Sequence, residues 1–114
     1  MAVDTRVAEQ FGQFIAQGDF ASAHSLLTAS ARAAHSPADL QQAVERMIAK
    51  GEGPITEVTL VSECILDDWP SKQADDVGYV YVALDGKGFC EAVTVTLTRE
   101  DDQIRIRTLQ WGRP

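Results

Sequence analysis

The spacing of apolar residues changes once along this chain, dividing it into a helical half and a strand half. Val7, Phe11, Phe14 and Ile15 recur at helical spacing and predict a helix over about Asp4–Gln17, with Asp4 able to cap its first turn. Gly18 is placed to end that helix in a left-handed conformation, and Asp19 to cap the next. The second helix carries Phe20, Ala23, Leu26 and Leu27 inward and fades near Ser30. Ser36-Pro37 is a strong start signal, a capping hydroxyl followed by proline at the first helical position. The third helix buries Leu40, Val44, Met47 and Ile48 and stops at Lys50-Gly51, so that Gly51–Pro54 breaks the chain between its halves.

From Ile55 the period is two. The alternation predicts strands over about Thr56–Leu66, Val77–Leu84, Phe89–Thr98 and Gln103–Trp111. A polar loop, Asp67–Asp76, holds Trp69-Pro70, while Asp85–Gly88 and Glu100–Asp102 are short enough to make the last three strands an antiparallel meander. Helices followed by antiparallel strands define an α+β class. A strand of about ten residues spans roughly 33 Å, against about 21 Å for the first helix. A flat sheet would overhang its helices, so the expected form is a strongly curved four-stranded sheet with the three helices packed in its concave face. At 114 residues the chain is expected to form a single domain, 1–114.

Alternation also assigns faces. In strand three, Phe89, Glu91, Val93, Val95 and Leu97 point to the core and Thr94, Thr96 and Thr98 away from it. Val80, Val82 and Leu84 look inward, as do Ile104 and Ile106, which puts Tyr79, Tyr81, Arg105 and Arg107 outside. Carried onward, the same phase places Leu109 and Trp111 outside. Tyr79, Tyr81, Leu109 and Trp111, joined by Val61, Ile65, Cys90 and Ala92, then form an apolar outer patch too large for a monomer to expose. Glu91 is the anomaly, a carboxylate between Phe89 and Val93 on the apolar face. It is a weak candidate for a general acid or base in a pocket, set against a rim position where it pairs or meets water.

Composition narrows the function classes. Seventeen acidic residues against ten basic give a net charge of −7, which repels phosphate backbones and anionic lipid and excludes nucleic acid and membrane surfaces as expected partners. Arg105, Arg107 and Arg113 are the densest basic group and follow Glu100-Asp101-Asp102 as a solvated strand face. Met1–Arg6 lacks an apolar signal core, and Cys64 and Cys90 sit apart inside strand patterns, so a cytoplasmic protein with buried, reduced thiols is expected. His24 and His35 lack metal-ligand spacing, and no nucleophile elbow or phosphate loop is present; no metal and no cofactor are expected. His24, beside Ala23 and Leu27, is expected to be structural. Trp69 is expected to pin its loop to the helices, or else to cover the mouth of the sheet as a lid.

The segment Phe14-Ile-Ala-Gln-Gly-Asp-Phe20, followed by Ala23-His-Ser-Leu-Leu27, resembles the NTF2-like, or cystatin-like, α+β cone superfamily, in which a first helix commonly ends at Gly-Asp before an Ala-x-x-Leu-Leu helix. The order of elements extends the resemblance over nearly the whole chain. It implies a cone, and a homodimer formed through the outer sheet face at Tyr79, Tyr81, Leu109 and Trp111. A non-catalytic binding module, with a protein partner on its acidic surface as a further use, is the first functional expectation. The second is an isomerase- or dehydratase-like enzyme or a carrier of a small apolar ligand. Its pocket inside the cone would be lined by some of Phe11, Phe14, Met47, Trp69, Glu91, Val93 and Ile106. The steroid-isomerase set of an aspartate base with tyrosine and acid donors does not map onto these residues, because Tyr79 and Tyr81 face outward and no aspartate lies mid-strand on an inward position.

Overall fold

The structure, a computed structural model, describes residues 3–49, 53–61 and 64–112. Four helices, α1 (Arg6–Gln17), α2 (Phe20–Ser25), α3 (Ala29–Ala34) and α4 (Pro37–Met47), precede four strands, β1 (Ile55–Leu60), β2 (Asp76–Gly86), β3 (Phe89–Glu100) and β4 (Gln103–Trp111). The strands form one open antiparallel sheet in sequence order.

The helical half follows its punctuation. Gly18 ends α1 at φ 75°, Asp19 caps α2 by accepting from the Ser22 N–H, and Ser36 with Asp39 forms a reciprocal capping box on α4. The cap of α1 differs: Thr5 occupies that position, while Asp4 accepts from the Arg6 N–H and guanidinium. The predicted second helix is two. After the Leu26 cap, Leu27 and Thr28 leave helical geometry because the sheet recruits this segment. The Thr28 N–H donates to Ile106 O, the Ile106 N–H donates to Leu26 O, and the Thr28 hydroxyl then caps α3. Helical periodicity hid the break because Leu27 is buried either way. The predicted stop at Lys50-Gly51 lies outside the described residues.

One hydrophobic cluster joins the halves. Phe11, Ile15, Leu27, Leu40 and Val44 from the helical half meet Val80, Val82, Leu84, Val93, Val95, Leu97 and Ile106, all buried. Helix α1 lies close on the sheet because Gly12 carries no side chain; a Cβ there would come within 2.7 Å of a Val58 methyl. The first strand is shorter than expected. It ends at Leu60, residues 62 and 63 lie outside the described residues, and Leu66 makes an isolated pair with Tyr79.

The main departure from strict alternation is at Leu97. Asp76 pairs with Thr98 but Gly78 with Leu97, leaving Val77 over on one side; Leu97 pairs with Ile106 but Thr96 with Thr108, leaving Arg107 over on the other. These two bulges flank the middle strand at one level, and bulges bend and twist the strands that carry them. The second also reverses the phase of β4. Val95 faces Leu109 and Val93 faces Trp111 across the ladder, so both residues lie on the helix side and pack against the core. Leu109 and Trp111 are therefore not part of the outer patch in which strict alternation placed them.

Candidate functional site

With Leu109 and Trp111 turned inward, the outer positions in the middle of β2, β3 and β4 are Tyr79, Tyr81 and Ala83, then Ala92, Thr94, Thr96 and Thr98, then Thr108 and Gln110. None of these is charged; charge enters only toward the ends of the face, at Asp85 opposite Cys90 and at Arg105 opposite Thr98. The Tyr79 hydroxyl donates to Gln110 Oε1 at 3.2 Å. Because β2 and β4 flank β3, that bond must cross the middle strand, and Thr94 and Thr96 lie buried at its level. Tyr81, Ala83 and Val61 remain half-buried at the open end of this face, with Gln110 exposed beside them.

The loop before β2 covers the other end. Trp69 is buried and stacks on Tyr79, with ring centroids 5.2 Å apart and planes 22° apart. It pins its loop, as the pairing of a bulky aromatic with a charged segment suggested, but to the outer face of the sheet rather than to the helices. Asp76 closes the loop. Its side chain is fully buried and accepts from Arg107 Nε at 2.9 Å and Nη2 at 2.6 Å, from the Gln73 N–H at 2.8 Å, and from the Thr98 hydroxyl. Burial pushes this carboxyl up, but the bonds from Arg107, Gln73 and Thr98 outweigh it and hold it below the usual aspartate range. The guanidinium fork thus ties the start of β2 to the bulge of β4. Sequence reasoning missed this pair, since nothing local links residues 31 positions apart.

On the helix side, Glu91 lies opposite Leu84, as alternation predicts, and is half-buried. It lines an open cleft of about 550 Å³ with Ala43, Arg46 and Met47 of α4, Ala49, and Trp111. Ala43 and Met47 are one helical turn apart and present one face. Beneath Trp111 lies Phe11, with ring centroids 6.2 Å apart. Of the residues considered for a pocket, the structure brings Met47 and Glu91 together, with Trp111 and Arg46 beside them. Arg46 had a local signal, its place beside Met47 in the last turn of α4. Phe11, Val93 and Ile106 belong to the packed core, Phe14 is half-buried against it, and Trp69 is on the opposite face.

A larger open groove of about 1140 Å³ lies at the far end of the sheet, between the start of α1 and the starts of β2 and β4. Val3, Val7, Leu26, Val77 and Ile104 form its floor, and its rim mixes Arg6, Lys72, Arg99 and Arg105 with Asp4, Asp67, Asp68 and Asp102. The Arg6 guanidinium holds the Asp4 carboxyl down to about 2.

Both cysteines are exposed, not buried. Cys64 lies beyond the end of β1, and Cys90 is an outer position beside the hairpin, where its thiol donates to Asp85 Oδ1. His24 is structural: its Nε2 lies 3.2 Å from Arg32 O and 2.6 Å from His35 O, tying α2 to the end of α3. Among the described residues no group of three or more His, Cys, Asp or Glu could hold a metal ion, and no helix is long and apolar enough to cross a membrane. No family model, curated protein or solved structure matches this chain.

Proposed function

We propose that this chain is a non-catalytic binding module of the NTF2-like cone type that pairs with a second copy of itself through the outer face of its sheet. The observation that carries this is the absence of charge from Tyr81, Ala83, Thr94, Thr96, Thr108 and Gln110, on a chain with 24% charged residues and a net charge of −7. Thr94 and Thr96 are buried, but Tyr81, Ala83, Thr108 and Gln110 meet solvent, and a solvated patch in the middle of a sheet on so charged a protein has no physical reason to be neutral. A self-complementary face has one, because any charge on it would meet its own copy. The two bulges flanking Leu97, which bend the sheet, and the helices-first order support the cone. Sedimentation velocity over a micromolar concentration series should show a reversible dimer, and Tyr81→Glu combined with Thr108→Arg should give a folded monomer. A wild-type monomer throughout the series overturns the proposal.

The cleft beside Glu91 supports a second reading, a site for a small apolar ligand on Met47 and Trp111 with the carboxylate at its wall. An acid of this kind would serve an isomerase- or dehydratase-like enzyme. Saturable binding of a naphthalene-type fluorescent probe, lost in Met47→Asp and altered in Glu91→Gln, is the expected result; binding indifferent to both substitutions removes it.

A further inference from the structure

The segment 67–75 is braced within itself more than it is tied to the fold. Lys72 Nζ donates to Asp67 O at 2.7 Å, its ammonium stands 5.7 Å from the Trp69 ring centroid, and the Lys72 N–H donates to Trp69 O. The Gln73 N–H donates to Asp76 Oδ2, and the Asp76 N–H donates to Gln73 O. Apart from Trp69, every side chain from Asp67 to Asp75 is exposed. What holds the segment to the sheet is the Trp69–Tyr79 stack, with the Leu66–Tyr79 pair at one end and, at the other, the Arg99 N–H donating to Asp75 O beside the buried Asp76. The stack itself is incomplete. Trp69 is only 8% exposed, yet its indole N–H is buried with no acceptor, a group that water would satisfy once the ring left its seat.

We infer that residues 67–75 form a strap that opens as a unit, withdrawing Trp69 from Tyr79 and uncovering that end of the outer sheet face, while Asp76 and Leu66 serve as its hinges. The Lys72 braces move with the strap and oppose nothing; the orphan indole N–H favours the open form; the apolar area of Trp69 and the Gln73–Asp76 bonds at the hinge favour the closed one. Opening of this kind is a local event that leaves the β2–β3 ladder intact. It is a property of one chain and does not require self-association.

Native-state hydrogen exchange tests it, measured on the full chain at low micromolar concentration with added sub-denaturing urea. The amides of Leu66, Tyr79 and Arg99, whose bonds join the strap to the sheet, should exchange through one shared opening, at least tenfold faster than those of Val82 and Val95 and with a smaller dependence on urea. Trp69→Ala should accelerate the strap amides by a further tenfold or more and leave Val82 and Val95 unchanged. If the strap amides exchange only with the ladder, the segment is part of the cooperative core and the inference fails. It fails equally if Trp69→Ala accelerates both sets alike, or if the three amides exchange at unrelated rates.

Discussion

Asp76 shows how a single buried charge can be an asset. An isolated carboxylate in the interior would be strongly disfavoured, but this one receives a bidentate fork and two further donors, so its burial is offset on every side. Arg107 is about a quarter exposed, which screens the pair and lowers its worth below that of a fully buried one. Asp76→Asn keeps the shape and removes the charge; the expected loss is about 2 kcal/mol at neutral pH, read by urea unfolding. The sign of the pH dependence follows from the depressed folded value. The stabilisation is fully present above the unfolded aspartate value of about 3.9 and is lost as pH falls through the lower folded one. The stability gap between wild type and Asp76→Asn should therefore close between about pH 4 and the acid limit. A gap that stays constant down to pH 2.5 would mean that geometry, not charge, holds the site.

Among the elements, β4 departs furthest from its sequence pattern. Its alternation is clean on either side of Arg107, yet the two stretches face the core with opposite parity, Ile104 and Ile106 before the bulge and Leu109 and Trp111 after it. An outward Trp111 would contribute little to stability, whereas an inward one against Phe11 contributes as a partly buried aromatic does. Trp111→Ala should cost about 2–3 kcal/mol and lower the thermal midpoint by several degrees, with self-association otherwise unchanged. A cost under about 0.5 kcal/mol would return Trp111 to the outer face.

For the whole molecule the governing quantity is charge. Each chain carries −7, so two copies repel until salt screens them, while the middle of the proposed contact surface carries no charge. Raising sodium chloride from about 20 mM to about 200 mM should therefore tighten the dimer several-fold by shortening the screening length. Weakening with salt would instead mean that opposite charges at the rim hold the copies together, and the neutral face would lose its role. The mixed rim of the far groove, around Arg99, Arg105 and Asp102, is where such pairs would arise.

The sequence by itself determined what short-range chemistry controls. The caps at Asp19 and Ser36, the left-handed stop at Gly18, the change of period near Ile55, the tight hairpins and the inward phase of β2 and β3 all depend on neighbours a few positions away. That was enough to place Glu91 and Met47 on the helix side of the sheet and Tyr79 and Tyr81 on the outer one. The tertiary structure alone decided the rest. Leu27 and Thr28 leave the helix because Ile106 offers this segment backbone partners. Trp69 seats on Tyr79 because its loop folds back over the outer face. Leu109 and Trp111 change sides because the ladder slips by one residue where Arg107 leaves the register and reaches Asp76. Periodicity is a local property, whereas register belongs to two strands at once. A bulge is written in the contacts between strands that neither strand's own pattern contains.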